Sequence, residues 1–586
     1  MSRPRQPRLA VLAGLGLLLG VALLCAYGPA FQAGFVYDDS RLITHNPFLQ
    51  GPLDWTALFV DKHSVAPDAE PDIYRPLSTL SFFVENRLGK GSAVVHHAAG
   101  LGFHLLNTLL FFYFLLKLLA PAGEPSGALW IPLAGAALFA LHPVQVESVV
   151  WISSRSGQIS AFFILLALIV AIGPNRQVPA PRGVAATVLF VGVATFLACL
   201  GRESGVMTGV FIFLCAFCIK GLRKKTIVAC GIASLGAALV YLAWRYHVMD
   251  GAIHQVAPHG GGWFKNFLYG AYGCLYQAGL LLRPWFHNLD YQDGFFDGLP
   301  MWEVAAGGCV YFLLVAFAIL SIRRHPLAAC GILLFAAAQF PTSSLVITVR
   351  SLVNDRYLYL PLMGACVSVC AALGAIDRRS PAMRKGAAAL TVALILILSL
   401  LTHDRSRDWV DSKSLWTAAL KTHPASIRAH VALSKAALQE DDAGGALKIA
   451  VAGYKIGRFG TAVRMNAMYK AAQALAALGR AGEYRSLLRE LLAEASHPEG
   501  SENFRLFERA ALELFEFEVR AGRFDDAARV MENLIVEKGP SAINLHRLGV
   551  VLEHAGRPEE AADAIRRSAE MKEKEERKEE TIQLEQ

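Results

Sequence analysis

The chain has 586 residues, of which 54% are hydrophobic and only 18% charged, and its mean hydropathy is +0.39. Ordinary soluble domains carry roughly 25% charged residues, so this composition excludes a wholly water-soluble protein. The formal net charge is +8, but the basic residues cluster beside apolar runs, which points to orientation in a membrane and excludes nucleic-acid binding.

Long uncharged runs fill the first 402 residues, whereas the rest is rich in Glu, Arg, Lys and Ala, so one domain meets lipid and another meets water. A hydrocarbon core about 30 Å thick takes about 20 apolar residues per helix. Runs of that order predict eleven crossings near 9–27, 99–119, 128–146, 157–173, 183–200, 204–220, 226–246, 303–322, 327–347, 357–376 and 386–402. The first run lacks a small-residue cleavage site and reads as an uncleaved helix. Arg3, Arg5 and Arg8 before it, with the clusters Lys220 to Lys225, Arg323–Arg324 and Arg378 to Lys385, put the N-terminus in the cytoplasm. The loops 28–98, 147–156, 201–203, 247–302 and 348–356, and everything after 402, then face outside. A further crossing at 263–283 would turn the later basic clusters to the wrong side, so that segment is expected to be an interfacial or re-entrant helix. All ten cysteines, Cys25 to Cys370, lie within or beside apolar segments, which implies no disulfide framework. Cys215 and Cys218 read as a packed pair of small apolar side chains.

Polar groups near a membrane are costly and call for a reason. Here they gather on the outer side: Tyr37-Asp38-Asp39 and Tyr74-Arg75-Pro76-Leu77 in the first loop, then His97, His104 and Asn107 at helical spacing. His142-Pro143-Val144-Gln145-Val146-Glu147, Arg155, Arg202-Glu203 and Asn354-Asp355-Arg356 follow at the ends of later crossings. A transporter would place such groups at mid-depth, so this pattern predicts a site at the outer surface. Carboxylates with arginines suit transfer from an anionic lipid, because a carboxylate can deprotonate an acceptor hydroxyl while Arg or His neutralises the departing phosphate. Neighbours on an extended segment face opposite ways, so Asp38 and Asp39 are expected to do different jobs. The competing reading makes Asp38-Asp39 a helix cap and the arginines anchors or salt-bridge partners.

Beyond 402, Gly522-Arg523-Phe524-Asp525-Asp526-Ala527-Ala528 and Gly556-Arg557-Pro558-Glu559-Glu560-Ala561-Ala562 lie thirty-four residues apart, the tetratricopeptide period. Weaker copies surround Ala443-Gly444-Gly445-Ala446-Leu447 and Ala481-Gly482-Glu483-Tyr484, which predicts about four repeats between Ser414 and Glu570, each buried against its neighbour. The charged tail from Met571 to Gln586 is expected to be a frayed helix or disordered.

The ordered series Tyr37-Asp38-Asp39, Tyr74-Arg75-Pro76-Leu77, His104-Leu105-Leu106-Asn107, His142 through Val149, Arg202-Glu203-Ser204-Gly205 and Asp355 through Pro361 resembles the motifs of the transmembrane and tetratricopeptide-repeat O-mannosyltransferases. The resemblance covers nearly the whole chain. It departs where that family usually has Lys-Glu and this chain has Arg202-Glu203, and where Gln145 replaces a frequent His; both departures leave the sugar open. It implies an all-α GT-C fold of about eleven crossings over residues 1–402, a tetratricopeptide-repeat α-solenoid over 403–570 and a charged tail at 571–586. The compact loops suggest a bacterial member, set in the cytoplasmic (inner) membrane with its active site and repeats extracytoplasmic. The implied donor is a polyprenyl-phosphate-linked monosaccharide, mannose or similar, transferred with inversion to a protein or glycan acceptor, with no cofactor and no metal. The family's acidic pair falls on Asp38, expected to be the base, and Asp39, expected to position the acceptor or loop; Glu147 is the further catalytic carboxylate. Arg75, His104, Asn107, His142, Arg155, Arg202, Glu203, Asp355 and Arg356 are the expected donor-phosphate and substrate contacts. Other expectations consistent with the sequence are a non-catalytic membrane scaffold recruiting envelope proteins through its repeats, and a glycan polymerase or ligase.

Overall fold

The computed structural model describes residues 9–64, 73–119, 129–173, 183–218, 224–251, 256–291, 295–296, 298–458, 461–495 and 502–585; among these it is all-helical, with no β-strand. Arg3, Arg5 and Arg8, and the basic run at 220–223, lie outside the described residues. Two compact units divide between Ala418 and Ala419.

In the first unit the apolar runs become α1 (Leu9–Tyr27), α2 (Pro76–Gly89), α3 (Ala93–Leu119), α4 (Trp130–Leu141), α5 (Arg155–Ile172), α6 (Val184–Gly201) and α7 (Thr208–Cys218). They continue as α8 (Lys224–Val248), α9 (Trp263–Leu282), α10 (Met301–Ser321), α11 (Pro326–Gln339), α12 (Tyr359–Asp377) and α13 (Pro381–Arg407). Among the described residues, eight helices are long and apolar enough to cross a membrane: α1, α3, α5, α6, α8, α10, α12 and α13. The other three expected crossings fall on shorter apolar helices, α4, α7 and α11 with their flanking turns. Of these, α4 stops after 12 residues because Pro143 follows His142, and its residues from Ala134 to Leu141 are buried. Irregular backbone after it is tolerated because protein, not lipid, surrounds it. The spans differ in what they face: 72% of the apolar window of α5 and 56% of that of α12 are buried, against 22% for α1 and α10 and 17% for α13. α9 belongs to neither group; it buries Asn266, Gly270, Cys274 and Gln277 and exposes Trp263 and Phe264 at its start.

Two glycines let α11 and α12 approach closely. A Cβ on Gly331 of α11 would lie 2.5 Å from the Gly364 carbonyl oxygen of α12, and one on Gly364 would lie 2.6 Å from that of Gly331. Small residues let two backbones meet where membrane helices gain little from hydrophobic exclusion.

The second unit follows α14 (Ser412–Thr422), which runs across the division. It contains four helix hairpins: α15 (Ile427–Gln439) with α16 (Ala443–Ile456), α17 (Ala462–Ala477) with α18 (Ala481–Glu494), α19 (Glu502–Arg520) with α20 (Phe524–Lys538), and α21 (Ala542–His554) with α22 (Pro558–Glu585). All four turn in the same way. Asp441, Gly479, Gly522 and Gly556 adopt positive φ, and the next residue donates its N–H to the carbonyl five residues back: Asp442 to Ala437, Arg480 to Leu475, Arg523 to Glu518 and Arg557 to Leu552. This left-handed stop satisfies otherwise orphaned helix-end carbonyls and is easiest for glycine. Ala471, Ala472, Ala510, Ala511, Ala527 and Ala528 are fully buried where helices cross, with Met465, Leu488, Leu514 and Met531 between them. α22 extends through the expected tail to Glu585.

Candidate functional site

The acidic pair lies just after α1 and a turn at Gly28–Gln32. Tyr37 is in the left-handed region at φ 55°, and Asp39 already has helical dihedrals, so the pair sits on a tight turn rather than on the expected extended segment. The turn closes because the Asp38 carbonyl accepts from the N–H of Arg41 and Leu42 at 3.1 and 2.9 Å. The two carboxylates still differ sharply. Asp39 is fully buried: one oxygen accepts from the Ser153 N–H at 2.9 Å and from its hydroxyl, the other from the Val36 N–H at 3.2 Å. Burial pushes its pKa up to about 7, against the opposing hydrogen bonds. Asp38 is half-buried, and its carboxylate has no hydrogen bond or ion pair among the described residues.

Beside this turn stands a group of arginines. Tyr37 packs on Trp151 at 5.2 Å between ring centroids, and the Arg356 guanidinium lies 5.1 Å over the same Trp151 ring. Arg356 is held by Glu147, which pairs with its guanidinium and accepts its backbone N–H at 3.0 Å; Asn354 accepts a further bond at 3.2 Å. Burial raises the Glu147 pKa, and the charge of Arg356 opposes that rise. Arg356 and Arg202 share the Tyr357 ring, 5.4 and 5.8 Å from its centroid. Arg75 donates to Glu203 at 3.2 Å, and both lie within electrostatic range of Arg202. Three guanidiniums therefore converge with two carboxylates, and Arg202 has no hydrogen bond or ion pair among the described residues.

The other expected contacts are committed inside the protein. His104 takes the Tyr359 hydroxyl on Nδ1 at 2.9 Å and donates from Nε2 to the Ala140 carbonyl at 3.0 Å. Asn107 donates to the Tyr359 hydroxyl and to the Gln158 carbonyl at 3.0 and 2.9 Å. His142 accepts from the Val144 N–H and donates to the Leu281 carbonyl, both at 3.1 Å. Asp355 accepts from the Tyr291 hydroxyl at 2.9 Å and faces His287 Nδ1 at 3.3 Å. Arg155 is buried against Glu85, Ser81 and the His96 carbonyl, so its fork is filled. Glu85 and Ser153 were not legible as partners: Glu85 lies 70 residues from Arg155 and Ser153 lies 114 from Asp39. The amphipathic register of α2, which buries Glu85 with Phe82, was the available signal. Trp151 carried no sequence signal beyond its place near motif residues, and Tyr357 was legible only as part of the Asp355 through Pro361 series.

No family model matches the chain, and no solved structure does. Curated relatives do match. The chain is 26% identical over 435 residues to "Protein O-mannosyl-transferase F38B6.6" of Caenorhabditis elegans, covering 72% of this chain and 59% of that protein. It is 24% identical over 476 residues to "Protein O-mannosyl-transferase TMTC4" of Mus musculus, covering 72% and 63%. With "Protein O-mannosyl-transferase TMTC1" of Homo sapiens it shares 26% identity over 491 residues, covering 73% and 53%. The chain thus spans less than two thirds of each relative's length. These three relatives are animal proteins, which gives the expectation of a bacterial source no support. Over about seven tenths of its length, then, this chain is similar to proteins named as protein O-mannosyl-transferases.

Proposed function

We propose that this chain is a membrane glycosyltransferase that transfers one sugar, mannose or similar, from a polyprenyl-phosphate-linked donor to a hydroxyl of a protein acceptor. The observation that carries the reading is the Asp38 carboxylate without a hydrogen bond or ion pair among the described residues, next to Tyr37, which is joined through Trp151, Arg356 and Tyr357 to the Arg202 guanidinium. In this reading Asp38 takes the proton of the acceptor hydroxyl as its oxygen attacks the anomeric carbon. The bond from that carbon to the phosphate oxygen breaks, its electron pair leaves with the phosphate, and attack from the opposite face inverts the centre. Arg202, flanked by Arg75 and Arg356, stabilises the charge that develops on the leaving group. A pKa near neutrality would favour Asp39 as base, but both its oxygens are filled by donors and it is buried, and geometry decides before pKa. Glu147 is assigned the role of holding Arg356.

The surrounding architecture follows from the same reading: a GT-C domain of eleven crossings, α4, α7 and α11 included, with its site on the extracytoplasmic side of the cytoplasmic membrane. The four hairpins form a tetratricopeptide-repeat solenoid that presents acceptors. Purified protein in lipid nanodiscs, given labelled polyprenyl-phosphate sugars and peptide acceptors, is expected to transfer a single sugar. Asp38→Asn, folded and donor-competent, should lose about 10²–10⁴-fold in turnover, the usual worth of general-base catalysis. Near-normal turnover in Asp38→Asn would remove Asp38 as the base, and no transfer by the wild type with any such donor would favour a scaffold.

A further inference from the structure

The turn that carries Asp38 is gripped by a segment almost four hundred residues later in the chain. Tyr37, next to Asp38, holds a left-handed backbone at φ 55°, a conformation that a bulky residue keeps only when its surroundings enforce it. Its ring is enclosed from two directions, by Trp151 at 5.2 Å and by Trp416 at 5.7 Å in an edge-to-face contact. Trp416 belongs to α14, and the residues just before it add two more holds. Trp409, fully buried, stacks on Trp151 at 6.1 Å, and the Gly34 N–H donates to the Val410 carbonyl at 3.0 Å. The indole N–H groups of Trp151 and Trp409 find no acceptor among the described residues, so packing is what fixes these rings.

We propose that Trp416 is a positioning residue for Asp38: with Trp151 it locks Tyr37 in its left-handed state and so fixes the direction of the Asp38 carboxylate. This rests on the glycosyltransferase reading for its catalytic consequence, but the lock itself does not. The Tyr37 backbone is spanned by the Asp39 N–H bond to the Val36 carbonyl at 3.1 Å and the Val36 N–H bond to the Asp39 carboxylate at 3.2 Å, and the two indole rings add a hold on its side chain from outside the turn. Without the Trp416 ring one of these holds is lost, and the turn that aims Asp38 is looser.

The test pairs a structural readout with a kinetic one on the full-length protein in nanodiscs, using Trp416→Ala and Trp416→Phe. Hydrogen exchange is followed at the Asp39, Arg41 and Leu42 amides, which bond to the Val36 and Asp38 carbonyls. Trp416→Ala is expected to exchange faster there, and its kcat for sugar transfer to fall by up to about 10²-fold, the scale of a small misplacement of a reacting group, with donor KM unchanged. Trp416→Phe keeps an aromatic edge and should restore both. Unchanged exchange in a folded Trp416→Ala overturns the lock, and faster exchange with unchanged kcat overturns its positioning of Asp38. If the wild type transfers no sugar, the functional reading fails, while the exchange measurement still decides whether Trp416 holds the turn.

Discussion

Because burial holds the Asp39 carboxyl at a pKa of about 7, the folded chain keeps a proton that the unfolded chain surrenders near pH 4. The sign follows from linkage: between about pH 4 and pH 7 the folded state binds more protons, so stability falls as pH rises, and above about pH 7 the full cost is present. Asp39→Asn removes this dependence. Thermal unfolding midpoints taken across pH should show the variant gaining on the wild type from pH 4 to 7 and then running level with a fixed offset; parallel curves throughout would mean that Asp39 is not held neutral. Arg202 permits a second residue-level prediction. A planar fork can grip a phosphate through two donors, which a lysine cannot reproduce. Losing one charge-assisted bond of about 1.5–3 kcal/mol would raise donor KM in Arg202→Lys by about 10-fold or more. The same change at Arg155 should leave donor KM alone and lower stability, since its partners are Glu85, Ser81 and the His96 carbonyl. Equal donor KM for Arg202→Lys and the wild type would exclude Arg202 as the phosphate contact.

At the scale of helices, the Gly331–Gly364 contact shows how tightly α11 and α12 meet. Gly331→Ala places a methyl 2.5 Å from the Gly364 carbonyl oxygen, and overpacking of that kind costs about 1–3 kcal/mol. Gly236 of α8 is the control: a Cβ there meets nothing within 4 Å, so Gly236→Ala should be neutral or gain about 0.5–1 kcal/mol. Unfolding in detergent reports both, and equal stability of the two variants would refute the close packing. Apolar length alone locates the long helices, since twenty residues free of charge have few alternatives to crossing lipid. It places the end of α4 badly, because the expected run to 146 ignores the stop at Pro143. The hairpins were visible through Gly522 and Gly556, whereas the matching turn at Asp441 was obscured because an aspartate there does the work of glycine.

For the whole molecule, what the sequence reading brings together and what it misses divide by distance along the chain. It groups Asp38, Arg75, Arg202, Glu203 and Arg356 because each is a costly polar group at the end of an apolar run. It cannot assign their partners: Arg75 finds Glu203 across 128 residues and Arg356 finds Glu147 across 209, and no local periodicity encodes such pairs. Proposed sidedness has its own check. A reporter active only outside the cytoplasm should be active when fused after Glu570 and silent after Lys225, following the placement of basic clusters. The reverse pattern would move Asp38 and the arginines to the cytoplasmic face and overturn the donor geometry.

The unequal burial of the spans has a consequence for how such a chain can change over time. α1, α10 and α13 bury only 17–22% of their apolar windows, so most of their side chains answer to a fluid that accepts Leu, Ile, Val or Phe alike. α5, at 72%, answers to neighbouring side chains of fixed shape, where exchange of even one methylene is felt. Outer helices can therefore drift in spelling while keeping their composition, whereas the packing around α5 constrains both.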